Sequence, residues 1–217
     1  MFRNRTISAW AASVIALAAI TVSATAPVHA QVTKTPDALI KEVSTDVLET
    51  LKKDSIKPGD TQKVMTLVDQ KVMPYVDFQR MTASAVGRYW RQASPEQQKQ
   101  LQEQFKTLLV RTYSGALSQV ADNQTIELQP MRSNAEDKEV VVRSQVKGKG
   151  DPIQLDYRLE QTGSGWKIYD VSVLGVWLVE NYRNSFAQEI GANGVDGLIK
   201  KLVERNSKPT AGAPAKS

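Results

Sequence analysis

The stretch Ile153–Leu174, IQLDYRLEQTGSGWKIYDVSVL, decides the fold. Its first half alternates apolar and polar residues, and Thr162–Gly165 then supplies the small residues that are typical of a hairpin turn. Its second half places Tyr169, Val171 and Val173 on one face. Because strict alternation is the pattern of half-buried strands, the stretch predicts an antiparallel hairpin with one apolar face.

Two more strands are predicted before this hairpin. Residues 126–128 and Val140–Val146 alternate apolar and polar side chains, and the glycine-rich turn Gly148–Asp151 leads from the second of them into the hairpin. Four consecutive antiparallel strands make a meander. Its apolar face has to be covered, and helices elsewhere in the chain are the available cover.

Helices are predicted ahead of the strands. A helical period of apolar residues begins at Pro36 and stops at Lys57–Asp60, and a second one runs from Val64 to Val72. Ser94–Gln97 has the sequence of a capping box with proline at the first helical position, so a long helix is expected to begin there.

Helical spacing returns after the strands. Gly175 is expected to end the sheet, Trp177–Phe186 returns to a helical period, and Gly191–Gly194 separates a last amphipathic helix. Residues 207–217, rich in Pro, Ala, Gly and Lys, are expected to form a disordered tail. The order of elements predicts an α+β fold in which helices pack on one face of a four-stranded antiparallel meander.

The first 30 residues have the composition of a secretory signal peptide. Two arginines precede an uncharged run from Ile7 to Ala26, and Val28-His29-Ala30 has the small-x-small pattern of a cleavage site. We expect Gln31 to be the mature N-terminus, residues 31–206 to be a single domain, and the protein to be exported to the periplasm. The alternative is an uncleaved anchor, because the uncharged run is long enough to span a bilayer.

Cleavage at this site would remove the only histidine, and the chain has no cysteine. These two side chains supply most general bases near neutral pH, most nucleophilic thiols and most zinc ligands. The cleaved segment also carries two arginines and no acid, so the net charge falls from +5 to +3. A surplus this small, with basic residues scattered among acids, does not indicate a nucleic-acid partner.

Asp156 and Asp170 are the most suggestive carboxylates, since they lie on adjacent strands beside aromatic residues. Alternation nevertheless places both opposite the apolar face, toward solvent, where a surface ion pair with Arg158 or Lys167 is expected. No loop spaces its acids like a calcium loop, and no serine lies in a nucleophile elbow. We therefore expect no catalytic residues, no metal, no cofactor and no enzymatic activity.

Four clusters combine aromatic and basic residues: Arg88–Arg91, Arg111–Tyr113, Asp156–Arg158 and Asn181–Arg183. In one interpretation each ring fills the core while its arginine extends to the surface and pairs with an acid. In the other, tyrosines and arginines collect at the rim of a cavity that holds an amphipathic ligand. The sequence leaves both interpretations open.

Six motifs follow one another along the chain: Phe78–Met81 (FQRM), Gly87–Gln97 (GRYWRQASPEQ), Leu108–Tyr113 (LLVRTY), Asp156–Leu159 (DYRL), Gly165–Val171 (GWKIYDV) and Leu178–Arg183 (LVENYR). In this order they resemble the MlaC family, also called toluene-tolerance proteins, over nearly all of the chain after the signal segment. Trp177 departs from the small polar residue expected after Gly175-Val176.

The resemblance implies a periplasmic phospholipid carrier with a fold similar to the cystatin-like or NTF2-like cone, enclosing an apolar cavity. Members of the family shuttle glycerophospholipids between an outer-membrane lipoprotein complex and an inner-membrane ABC transporter complex, which helps to maintain outer-membrane lipid asymmetry. The expected ligand is therefore a glycerophospholipid. We expect the carrier to be monomeric.

A carrier of this kind must enclose most of both acyl chains, because exposing two chains of roughly 16 carbons to water costs on the order of 25 kcal/mol. The predicted wall combines sheet and helix residues: Val68, Val72, Met73, Leu108, Leu109, Val140, Val142, Val146, Leu155, Tyr157, Tyr169, Val171, Val173, Leu178, Val179 and Tyr182. For each residue, a position in the packed core is an equally good alternative, because core residues and cavity-lining residues follow the same apolar period. The competing functions are an enzyme on the same fold and an adaptor or chaperone with a filled core.

Overall fold

The computed structural model describes residues 34–56, 60–117, 124–131, 136–148 and 150–208. The predicted signal peptide and its cleavage site lie outside these residues, and so does most of the predicted tail. The tail was expected to begin at residue 207, but Ser207 is the last residue of a helix.

The sheet has five antiparallel strands in chain order. They are β1 (Thr125–Leu128), β2 (Glu139–Lys147), β3 (Ile153–Thr162), β4 (Gly165–Val173) and β5 (Val176–Trp177). The prediction of four strands was wrong. Leu174 and Gly175 have positive φ angles of 52° and 85°, so they form a two-residue turn that brings Val176 opposite Val173 as a fifth strand.

The helices are α1 (Pro36–Lys53), α2 (Thr61–Leu67), α3 (Phe78–Val86), α4 (Pro95–Leu117) and α5 (Leu178–Ser207). After α2 the chain continues as a π-helical turn, Val68–Val72, and a 3₁₀ turn, Met73–Tyr75. Another 3₁₀ segment, Gly87–Gln92, leads into α4. Helix α5 is kinked at Gly194, where φ is 72°, within the predicted break.

Side-chain caps mark where α2, α3 and α4 begin, and at α2 Asp60 Oδ1 accepts from the Lys63 amide at 3.2 Å. At α4, the Ser94 amide donates to Gln97 Oε1 (2.9 Å) and the Gln97 amide donates to Ser94 Oγ (3.2 Å), which is the predicted capping box. At α3, Asp77 Oδ1 accepts from the Arg80 amide at 2.8 Å. These bonds satisfy amide groups that would have no partner within the first turn of the helix.

A β-bulge interrupts the alternation of β4. Arg158 lies opposite Asp170 and Leu159 lies opposite Ile168, so Tyr169 is an extra residue without a partner on β3. Tyr169 was predicted to share a face with Val171, and that prediction was wrong because the extra residue shifts the alternation by one position. Ile168 takes the place on the inner face, which we define as the face of the sheet that carries Val142 and Tyr157.

Buried side chains form three clusters. The first joins α3, α4 and α5 around Phe105, whose ring centroid lies 5.9 Å from that of Phe78 and 5.2 Å from those of Tyr182 and Phe186. The second packs α1 against the inner face of the sheet, and the third joins α1, α2 and α4. The clusters leave a space between α1, α4 and the sheet unfilled.

Candidate functional site

An apolar cavity of about 330 Å³ lies between α1, the π-helical turn, α4 and the inner face of the sheet. Its volume is within the roughly 300–1,000 Å³ that small-molecule pockets occupy. Each element contributes the apolar stripe or face that its sequence period specifies, and no aspartate or glutamate is among the lining residues that the structure describes. The site is therefore suited to hydrocarbon rather than to a charged group.

Most of the predicted wall residues line this cavity. The helical side contributes Val68, Val72, Met73, Leu109 and Leu178, and the sheet contributes Val146, Leu155, Tyr157, Val171 and Val173. The structure thus brings together residues that lie far apart in the chain, because β2, β3 and β4 all present one face to α1 and α4.

The other predicted wall residues lie elsewhere. Leu108, Val179 and Tyr182 pack in the cluster around Phe105, and Val140 and Val142 pack in the cluster between α1 and the sheet. Their periodicity is that of a buried face, but neighbouring side chains fill the space in front of them. They are core residues, the alternative that the sequence left open.

Tyr169 lies on the outer face of the sheet as a result of the bulge. Its hydroxyl lies 3.2 Å from Glu139 Oε2, and the Arg80 guanidinium stacks 3.6 Å from its ring centroid. It lines a polar depression of about 550 Å³ on this face, together with Glu139, Arg143 and Arg158. This depression is larger than the cavity, but its wall mixes both signs of charge and does not suit an apolar ligand.

The sequence prediction missed a part of the wall that α1 supplies. This part consists of Ile40, Val43, Val47, Leu48 and Leu51. The helical period of α1 was recognised, but nothing in the period indicates that this helix borders an open space. The one available signal is the width of the stripe, because Val47 and Leu48 are adjacent and extend it beyond the row needed for packing.

The polar side chains of the described wall are Ser44, Lys106, Tyr113, Gln124 and Tyr157. Burial raises the pKa of the Tyr157 phenol, and hydrogen bonds with Ser44 and Ser144 oppose that rise. Burial likewise raises the pKa of Tyr113 at the end of α4. Both phenols therefore remain neutral near pH 7 and contribute a polar atom without a charge.

Two ion pairs hold the π-helical turn beside the cavity. Lys106 Nζ on α4 lies 2.7 Å from Asp69 Oδ1, and Lys71 Nζ lies 3.0 Å from Asp46 Oδ2 on α1. The turn is thereby connected to the helices on both sides. Single π-helical turns occur frequently at functional sites, and this one carries Val68 and Val72 of the wall.

The predicted ion pair with Arg158 is confirmed for Asp170, but the prediction that Asp156 and Asp170 face solvent was wrong, since their exposed fractions are 7% and 1%. Both lie on the outer face, but the start of α5 covers Asp170. Its Oδ1 accepts from the amides of Val171 (2.9 Å) and Val179 (3.1 Å), and Arg158 donates to its Oδ2 at 3.1 Å. Burial raises the pKa of the Asp170 carboxyl, although these three donors oppose the rise.

The aromatic and basic clusters divide between the two interpretations. Tyr113 and Tyr157 line the cavity, whereas Tyr182 packs against Phe105 in the core. Trp177, the departure from the family pattern, lies under the Arg158 guanidinium at 3.9 Å from its ring centroid. The corner between β5 and α5 is therefore packed by a cation–π contact.

Metal-binding clusters and membrane-spanning helices are both absent from the residues that the structure describes. Within the ranges given above, no group of three or more His, Cys, Asp or Glu side chains is arranged to hold a metal ion. No helix in the described part of the chain is long and apolar enough to cross a membrane.

The comparisons with known proteins agree with the motifs. The family model described as "MlaC protein" matches residues 41–204. "Toluene tolerance protein ttg2D" of Pseudomonas putida is 29% identical over 167 residues, which cover 75% of this chain and 76% of the relative. "Intermembrane phospholipid transport system binding protein MlaC" of Haemophilus influenzae is 25% identical over 154 residues, covering 69% of this chain and 72% of the relative.

The fold is also similar to that of a solved structure. The phospholipid-binding protein from Ralstonia solanacearum, solved in complex with a phospholipid at 1.53 Å resolution, is 49% identical and superposes with a TM-score of 0.76. The match covers 80% of this chain and 98% of that chain. The family model spans the sheet, most of α1 and α5, all of α2 to α4, and the cavity wall apart from Ile40. The chain therefore belongs to the MlaC family.

Proposed function

We propose that this chain is a periplasmic phospholipid carrier. It takes up one glycerophospholipid, encloses the acyl chains in the cavity between α1, α4 and the sheet, and leaves the head group outside. The observation that carries the proposal is the apolar wall without a carboxylate among its described residues. The relative solved with a phospholipid supplies the chemical class of the ligand.

The physical task explains the composition of the wall. Each methylene withdrawn from water contributes about 0.8 kcal/mol, so a wall of Val, Leu, Ile and Met side chains stabilises bound hydrocarbon in proportion to chain length. A neutral Tyr157 or Tyr113 adds little selectivity for any one head group. Because the one charged side chain of the described wall, Lys106, is paired with Asp69, the carrier tolerates different head groups.

The proposal extends to the partners and to the compartment. The carrier exchanges lipid with an outer-membrane lipoprotein complex and an inner-membrane ABC transporter complex, acts as a monomer in the periplasm, and maintains outer-membrane lipid asymmetry. Membership of the MlaC family supports these assignments. Export by a signal peptide over residues 1–30, one domain over residues 31–206, and a cystatin-like or NTF2-like cone belong to the same proposal.

An enzyme on this fold is the competing function. It requires a buried carboxylate that points into the cavity, and Asp170 is the most buried carboxylate of the described residues. That side chain lies on the outer face, where Val171, Val179 and Arg158 occupy its oxygens. This placement favours binding over catalysis.

Native mass spectrometry of the purified protein tests the proposal. We expect an added mass equal to one phospholipid, and extraction should release intact diacyl lipids with a mixture of head groups. A lipid-free protein under gentle conditions that also takes up nothing from phospholipid vesicles would contradict it. Recovery of lipid hydrolysed during incubation would favour the enzyme.

A further inference from the structure

The turn between β4 and β5 combines two unfavourable features. Leu174 has a φ of 52° and Gly175 a φ of 85°, so both central residues have the positive φ angles of a type I′ turn. Asn, Asp and Gly are the residues that adopt this conformation readily, whereas leucine is strained there. The Leu174 side chain is also 55% exposed, and Val176 is 50% exposed.

This turn continues the wall of the cavity. Leu155 lies opposite Val173, and Val173 lies opposite Val176, so the three side chains form one row on the inner face of the sheet. Leu155 and Val173 line the cavity, and so does Leu178, two residues after Val176. The apolar wall therefore reaches the surface at Val176, on the last strand of the sheet.

The turn is held in place rather than loose. The Leu174 amide donates to the Gln154 carbonyl at 3.0 Å, which ties the turn to β3. A strained and exposed leucine in a fixed position does not serve packing, and residues of this kind concentrate at functional sites.

We propose that Leu174 and Val176 form the apolar rim over which acyl chains enter and leave the cavity. This inference rests on the proposed function, since it assigns a path to the same lipid. The rim gives the hydrocarbon a partly dehydrated surface between the membrane or partner and the wall formed by Val173 and Leu155. It should act on the rate of exchange more than on the final occupancy.

The double variant Leu174→Asn/Val176→Thr tests the rim. Asparagine is favoured in a type I′ turn, and threonine keeps the β-branched shape of valine, so the fold should be retained. The matched control is Val141→Thr, because Val141 is a strand valine that is 37% exposed and points away from the cavity. Each protein is loaded with a pyrene-acyl phosphatidylethanolamine, and transfer to acceptor vesicles of dioleoyl phosphatidylcholine is followed by fluorescence.

We expect the double variant to transfer lipid about tenfold more slowly. A tenfold decrease in rate corresponds to the loss of about one apolar side-chain contact in the transition state for transfer. Its Tm should be equal to or above that of the native protein, because asparagine relieves the strain at position 174. Its lipid content at equilibrium should match that of the native protein, and Val141→Thr should transfer at the native rate. Equal rates of lipid transfer for the double variant and the native protein would overturn the proposal that these two residues form the rim. If the native protein cannot be loaded at all, it is the proposed function that fails.

Co-sedimentation with the same vesicles separates the rim from a membrane anchor. Native protein and double variant should associate with vesicles equally, because the rim contacts the lipid in transit. Loss of vesicle association in the double variant, in proportion to the loss of transfer rate, would make the turn a bilayer contact and overturn the assignment.

Discussion

Leu155 and Val142 lie on the same face of the sheet but in different surroundings. Leu155 lines the cavity, whereas Val142 is fully buried against α1. Because a charge in an open cavity can be hydrated, we expect Leu155→Glu to lower the free energy of unfolding by only about 1–2 kcal/mol while abolishing lipid retention. Urea unfolding and native mass spectrometry of the same sample measure the two effects.

Val142→Glu is the matched comparison for this prediction. A carboxylate in packed core has neither water nor a partner, so we expect a loss of about 4 kcal/mol or more, or failure to fold. Leu155→Met, which conserves volume, should keep both stability and lipid. If Leu155→Glu unfolds as readily as Val142→Glu, then Leu155 is packed core and the cavity does not extend to it.

Asp170 connects two elements, because it accepts hydrogen bonds from backbone amides of β4 and of the first turn of α5. Burial raises the pKa of its carboxyl, so the folded state binds the proton more readily than the unfolded chain does. The free energy of unfolding therefore falls as pH rises from the pKa of the aspartate in the unfolded chain, about 4, through the higher pKa of Asp170 in the folded state. Relative to Asp170→Asn, which carries no charge at any pH, the native protein should become less stable across this window.

Urea unfolding at pH 4, 5, 6 and 7 measures the difference between native protein and Asp170→Asn. The control is Glu180→Gln, because Glu180 also lies 3.1 Å from Arg158 but is 57% exposed. The two variants separate the loss of the buried carboxylate from the loss of one ion pair with Arg158. An advantage of the native protein over Asp170→Asn that grows with pH would mean that Arg158 and the two amides outweigh burial.

The elements of this fold could be predicted where one local rule decides them. The alternation of apolar and polar residues predicted β1 to β4, and the capping box at Ser94 predicted the start of α4. The bulge at Tyr169 could not be predicted because it depends on tertiary contacts, and the short strand after Gly175 could not be predicted because its turn has a leucine where Asn, Asp or Gly is usual. Arg80 and Glu139 hold Tyr169 on the outer face, and β4 provides the partner that makes Val176 a strand.

The cavity is a property of the whole molecule, and periodicity alone does not reveal it. Val142 and Leu155 both occupy inner-face positions of alternating strands, yet one is packed and the other borders an open space. Side chains of α1 pack in the same cluster as Val142, whereas Leu155 faces the cavity. Family resemblance supplied the expectation of a cavity, and the structure shows which side chains surround it.

Removal of lipid should therefore lower the stability of the whole domain. A ligand that binds only the folded state stabilises it by about 2.7 kcal/mol at a concentration one hundred times its Kd. In a domain of this size that corresponds to a rise in Tm of about 5–10 °C. Delipidated protein should melt lower by this amount and recover when a long-chain diacyl phospholipid is restored, as measured by differential scanning calorimetry.

The short-chain analogue dihexanoyl phosphatidylcholine is the control for this measurement. It carries a complete phospholipid head group but buries far fewer methylenes, and each one contributes about 0.8 kcal/mol. At the same free concentration, the rise in Tm should therefore be much smaller than with dipalmitoyl chains. Equal shifts for the two lipids would mean that the head group provides most of the binding energy, and the apolar wall would then not be the site of recognition.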